Sequence, residues 1–168
     1  ALTRAGHCRA DELLDLLSVC ALETDLHVWG ILLPRMGMLE MLASYTEQKS
    51  RFQLFKKNLV KNTALRLGWD EDTADSHQMK TMRGAMLSAY GMAGDTATIE
   101  EARARFAAFR KDHNSLNPNL RRAVYGIAAA MGGFEAQDIL RDLYKEFAMV
   151  QEEQNRLLGA ITESGDPA

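Results

Sequence analysis

LNPNLRRAVYGIAAAMGG, residues 116–133, opens on an Asn-Pro step, runs through small apolar residues and closes on two glycines. Asn117 before Pro118 is an N-cap followed by a first-turn proline, whose fixed φ suits a helix start and whose missing N–H would have no partner there. Beyond it, Leu120, Val124, Ile127, Ala128 and Met131 recur at steps of three and four, one face of a helical period. Gly132 and Gly133 allow the left-handed conformation in which helices commonly stop. The stretch predicts a short amphipathic helix over 118–131 with both ends marked.

A related pattern precedes it. Sliding residues 82–109 onto 120–147, an offset of 38, matches Met82 with Leu120, Arg83 with Arg121, Ala85 with Ala123, Met86 with Val124 and Gly94 with Gly132. Further along, Arg103 meets Arg141, Phe106 meets Tyr144 and Phe109 meets Phe147. Each unit holds a helix, a glycine turn and a second helix, a size within the range of HEAT- and armadillo-type helix pairs. Asn155 and Arg156 are placed to begin a third unit.

The rest of the chain follows the same grammar. Helices are predicted over 11–23, 26–44, 46–67, 76–92, 96–111, 134–147 and 150–161, with Pro34 kinking or splitting the second and Gly68 ending the third. Phe52, Phe55, Leu59 and Leu65 are expected to face inward. No strand pattern competes, and connections are short apart from KDHNSLN at 111–117. The expected fold is therefore all-α, an α-α superhelix of HEAT/armadillo-like helix pairs with about eight helices in one domain.

Composition narrows the function classes. With 46% hydrophobic and 26% charged residues the chain is of ordinary globular type, and disorder is disfavoured. A net charge of -3 argues against nucleic-acid or polybasic membrane partners, which require clustered positive charge. No apolar run reaches the roughly 20 residues that span a bilayer. The two cysteines, Cys8 and Cys20, form no C-x-x-C pair and no N-x-S/T acceptor occurs, which favours a reducing, cytoplasmic setting.

Catalytic chemistry is sparse. His7, His27, His77 and His113 lie far apart, and none stands in H-E-x-x-H, the spacing that puts two imidazoles on one helix face around zinc. No metal or cofactor site is expected in this chain. Glu100 with Glu101, and Glu152 with Glu153, sit in first helical turns, where negative charge suits the exposed N–H groups; they are expected as caps rather than catalysts. The one binding expectation is that Arg83, Arg121 and Tyr125 line the concave side of the stack, where a guanidinium can receive a peptide carboxylate in a bidentate pair.

RLGWD at 66–70, MRGAMLSAYGMAGD at 82–95, IEEARARF at 99–106 and LRRAVY at 120–125, in this order and spacing, resemble the C-terminal helical domain of the gluzincin zinc aminopeptidases, above all its puromycin-sensitive branch. VWGILLPRMGMLEML at 28–42 resembles the helix that precedes this region, and the likeness covers about residues 10–160. It implies a large enzyme that removes N-terminal residues from peptides. Its zinc motif and its Gly-x-Met-Glu-Asn exopeptidase motif belong to an earlier catalytic domain. This chain contains neither, and RGAML at 83–87 lacks the Glu-Asn that binds the substrate amine.

By this resemblance the chain is the noncatalytic cap that closes over the catalytic domain of the same polypeptide and shapes a peptide chamber, with zinc held in that other domain. The family's Leu-Arg-x-x-Val-Tyr falls on Leu120, Arg121, Val124 and Tyr125, with Arg83 one repeat earlier; these imply chamber-lining roles for Arg83, Arg121 and Tyr125. GAITESGDPA at 159–168 lies where further helix pairs would be expected. A free-standing helical-repeat adaptor for a protein or peptide is the alternative, since it shares the fold and the absence of catalytic residues.

Overall fold

Local chemistry sets the helix starts. In the structure, a computed structural model that describes residues 9–163, the side chains of Asp25, Ser76, Asp95 and Asn117 each accept a hydrogen bond from a backbone N–H two or three residues on. These caps open α2 (Leu26–Ser44), α4 (His77–Met92), α5 (Thr96–Phe109) and α6 (Pro118–Met131). The other helices are α1 (Ala10–Val19), α3 (Lys49–Leu67), α7 (Gly133–Glu146) and α8 (Gln151–Glu163). Among the described residues there is no strand.

The expected elements are all present, with shifts at their ends. The first helix ends at Val19 and tightens into a 3-10 turn over Cys20–Leu22. α2 runs unbroken through Pro34; the carbonyl that loses its proline partner is that of Gly30, an exposed residue, so water can take the bond. α3 starts three residues later than expected, at Lys49, and stops at Gly68, whose φ of 59° only glycine adopts at little cost.

The helices form two layers. In one, α4, α6 and α8 lie directly against one another and α2 continues the row beside α4; in the other, α3, α5 and α7 each bridge the gap to the next member of the first row. The second-layer helices make no comparable contact with one another. A double layer packed more closely on one side curves toward that side, so the α2–α4–α6–α8 row is the inner one.

α6 departs from the amphipathic expectation. Leu120, Ala123, Val124, Tyr125, Gly126, Ile127, Ala128 and Ala129 are all buried, because α4, α5, α7 and α8 surround the helix on most sides. Leu65 on α3 also departs: it is 61% exposed, while Lys56 on the same helix is buried.

The apolar interior falls into two clusters. One is centred on Trp29, Met36, Leu59, Val60 and Ala64 of α2 and α3, with Met86 and Tyr90 of α4. The other is centred on Phe109, Leu116, Leu120, Val124 and Tyr125, with Leu140, Leu157 and Leu87 of α4. α4 thus contributes to both.

Candidate functional site

Arg83 and Arg121 occupy equivalent places in successive repeats, and the structure gives them equivalent work. Arg83 Nε donates to the Leu67 carbonyl at 3.0 Å and Nη2 to Asp75 Oδ2 at 2.6 Å. Arg121 Nε donates to the Leu116 carbonyl at 3.3 Å, Nη2 to the His113 carbonyl at 2.7 Å and Nη1 to Glu153 Oε2 at 2.8 Å. In each repeat the guanidinium fastens the segment that leads into its own helix. Such forked donation is what arginine's planar head provides and lysine's point charge does not.

Tyr125 completes the second of these networks. Its hydroxyl donates to Glu153 Oε1 at 2.6 Å, and Arg156 Nη1 donates to Glu153 Oε2 at 2.9 Å, so one buried carboxylate on α8 ties down two guanidiniums and a phenol. Burial works to raise the Glu153 carboxyl, but the Tyr125 hydroxyl and the Arg121 and Arg156 charges outweigh it and hold it below the usual range. Burial, reinforced by the neighbouring carboxylate, pushes the Tyr125 hydroxyl well up. Phe109 packs against this network, its ring centroid 5.5 Å from that of Tyr125 and 5.0 Å from Arg121 Cζ.

The polar ends of Arg83, Arg121 and Tyr125 therefore lie inside the helical stack, where those of Arg121 and Tyr125 are paired and Arg83 Nη1 is buried without a hydrogen-bond partner. Arg83 and Tyr125 are almost wholly buried, and the Arg121 side chain is only 14% exposed. Glu153, expected as a first-turn acid that caps its helix, does lie in the first turn of α8 and is also the centre of the network. Its sequence signal is register: Glu153, Leu157 and Ala160 follow at steps of four and three, and all are buried.

The open feature of the inner row is a different place. A groove of about 640 Å³ runs between α2 and α6 with α4 as its floor. α2 gives Leu33, Pro34, Gly37 and Glu40; α4 gives Thr81, Gly84, Ala85, Ser88, Ala89 and Met92; α6 gives Asn119, Arg122 and Ala123. Small side chains cut it: a Cβ built on Gly37 would meet nothing within 4 Å. Its charged and amide groups come from the sides, where the buried Lys56 of α3 donates to Glu40 and where Asn119 and Arg122 of α6 contribute, while Thr81 and Ser88 add hydroxyls on α4. The spaced small residues Gly37, Gly84, Ala85 and Ser88 were the sequence trace of this groove.

The groove offers apolar width with a few polar groups, the usual make-up of a binding cleft. Among the described residues no group of three or more His, Cys, Asp or Glu is arranged to hold a metal ion, and no helix is long and apolar enough to cross a membrane.

The model of the ERAP1-like C-terminal domain matches residues 1–168. The chain belongs to that family. It is 32% identical to aminopeptidase M1 of Arabidopsis thaliana over 99% of its own length and 20% of that protein. Aminopeptidase M1-A of Oryza sativa subsp. japonica is 31% identical, again over 99% of this chain and 20% of the relative. Puromycin-sensitive aminopeptidase of Caenorhabditis elegans is 27% identical over 98% of the chain and 17% of its own length. The chain thus spans about a fifth of these relatives, and as a member of the ERAP1-like C-terminal domain family it stands in an aminopeptidase context.

Proposed function

We propose that this ERAP1-like C-terminal domain is the noncatalytic part of a zinc aminopeptidase acting on peptides, capping the catalytic domain of the same polypeptide and shaping the peptide chamber. The observation that carries this is the groove between α2 and α6 on the inner row, with no metal-binding group among the described residues. The attacking water would be activated by zinc held elsewhere in the polypeptide. The present residues supply shape and a few polar contacts.

Arg83, Arg121 and Tyr125 then serve the chamber from behind. Their networks join each inner helix to the segment before it, and Glu153 joins α6 to α8, so they set the curvature of the wall that a peptide meets. The use of cysteine and the lack of N-x-S/T acceptors favour a cytoplasmic setting for the parent enzyme.

Gly37→Leu tests this in the full-length polypeptide, because Gly37 lines the groove and a Cβ added there meets nothing within 4 Å. The expected result is weaker turnover of long peptides with unchanged release from aminoacyl substrates too short to reach the groove. Equal loss on both, or no change on either, would sink the chamber role.

A further inference from the structure

We infer that α4 and α6 form a pivot between two halves of the domain, and that a clasp from the loop between α3 and α4 sets the width of the groove. This deepens the proposed groove function by naming its regulation, but the motion can be measured with no peptide present. Failure of the pivot and failure of peptide binding are therefore distinguishable.

The two apolar clusters define the halves. One unites α1, α2, α3 and one side of α4; the other unites α5 to α8 with the opposite side of α4. Ala123 and Ile127, buried on α6 where it meets α4, belong to neither cluster. Interdigitated large side chains resist sliding, since a dense core has few alternative packings. At the α4–α6 seam Leu87 of α4 joins the second cluster, and beside it Ala123 and Ile127 of α6 lie against Gly84 and Gly91 of α4.

The two ends of the seam differ. Near the end of α4, the Ile127 side chain fills the notch left by Gly91: a Cβ there would lie 2.7 Å from Ile127 Cδ1. Two turns earlier, Gly84 lies against backbone, and a Cβ there would lie 2.6 Å from the Asn119 carbonyl oxygen. The first contact is a knob in a hole, which fixes a point; the second is smooth, which permits small sliding. Gly84 and Asn119 line the groove, whereas Gly91 and Ile127 do not. The seam is thus anchored beyond the groove and smooth within it.

The clasp sits at the smooth end. Asn119 Nδ2 donates to Glu71 Oε1 at 2.9 Å, an exposed bond that ties α6 to the loop after α3. The loop is itself held by Arg83 through Asp75 and stands 4.0 Å from Lys80 Nζ at Glu71 Oε2. An exposed hydrogen bond contributes little against water and opens readily. Releasing it would remove this side-chain tie between α6 and the α3–α4 loop at the groove edge while Ile127 stays seated, with Trp69 of that loop still packed against the second cluster and Asp70 still held by Arg105 of α5 at 2.9 Å.

Paired spin labels read the motion directly. In the chain with Cys8→Ser and Cys20→Ser, labels at Arg35 on α2 and Asn155 on α8 report across the halves. Pairs at Arg35 with Lys61, and at Glu135 with Asn155, report within each half; all four labelled positions are exposed. The expected result is a broader distance distribution across the halves than within them, and a shift or broadening of the cross-half pair alone by about 2 Å in Glu71→Ala. A cross-half distribution as narrow as the internal ones, or one that Glu71→Ala leaves in place, overturns the pivot. Far-ultraviolet circular dichroism confirms that each labelled chain is folded.

Discussion

The Tyr125 hydroxyl of α6 and the Glu153 carboxylate of α8 meet at 2.6 Å in a place closed to solvent. The carboxylate also receives Arg121 and Arg156, so it is the single acceptor for three donors. Removing Glu153 leaves Arg121 with only the Leu116 and His113 carbonyls and Arg156 with only Glu152, and loss of one partner of a buried ion pair typically costs about 3–5 kcal/mol. Glu153→Ala is expected to lower stability by that amount. Tyr125→Phe removes one hydrogen bond to a charged acceptor and should cost about 2 kcal/mol. Urea unfolding of the two single variants and the double variant checks both, and the double should cost less than the sum because the sites touch.

Acid should act through the same carboxylate. Its folded pKa is held below that of the unfolded chain, so the stabilisation it brings is fully present above the ordinary glutamate range. That stabilisation is lost as pH falls from about 4.3, the unfolded value, through the folded one. Glu153→Gln, although less stable at neutral pH, is expected to show a shallower fall in melting temperature over this acid window. An unchanged slope would show that Glu153 does not control the acid limb.

How far the fold was legible depended on where the signal was local. Asn117 with Pro118, and Ser76 and Asp95 before their helices, mark ends by chemistry within three residues, and the structure uses each. The offset that pairs Arg83 with Arg121 also survives, since both hold the segment before their helix. Partner-dependent facts were hidden. Leu65 fits an inward period yet faces out, and Tyr125 and Arg121 gave no sign that a glutamate 28 and 32 residues later would consume their polar ends. The groove was obscure for the same reason: it is made by small residues on three helices, and a small residue is informative only once its neighbour is known.

Zinc should find no purchase among the described residues of the chain. Structural zinc sites need several thiolates, imidazoles or carboxylates converging at coordination distance, and among the described residues no such group exists. Addition of zinc to the purified 168-residue chain is expected to leave its melting temperature unchanged and to produce no release of N-terminal residues from peptides. Zinc-dependent release would overturn the assignment of chemistry to another part of the polypeptide.

Two glycines of the groove, Gly37 on the α2 wall and Gly84 on the α4 floor, should respond oppositely to the same added methyl group. At Gly37 the new Cβ meets nothing within 4 Å, so Gly37→Ala changes only the backbone freedom of the unfolded chain and should stabilise α2 by about 0.5–1 kcal/mol. At Gly84 the Cβ would stand 2.6 Å from the Asn119 carbonyl oxygen, backbone that cannot turn aside as a side chain can. Gly84→Ala must therefore push α6 away from α4, and overpacking of this kind costs about 1–3 kcal/mol. Thermal or urea unfolding of the two variants measures the difference. A destabilised Gly37→Ala with a neutral Gly84→Ala would place the tight seam on the wrong side of the groove, whereas the expected order confirms that α4 and α6 touch through backbone at the groove edge.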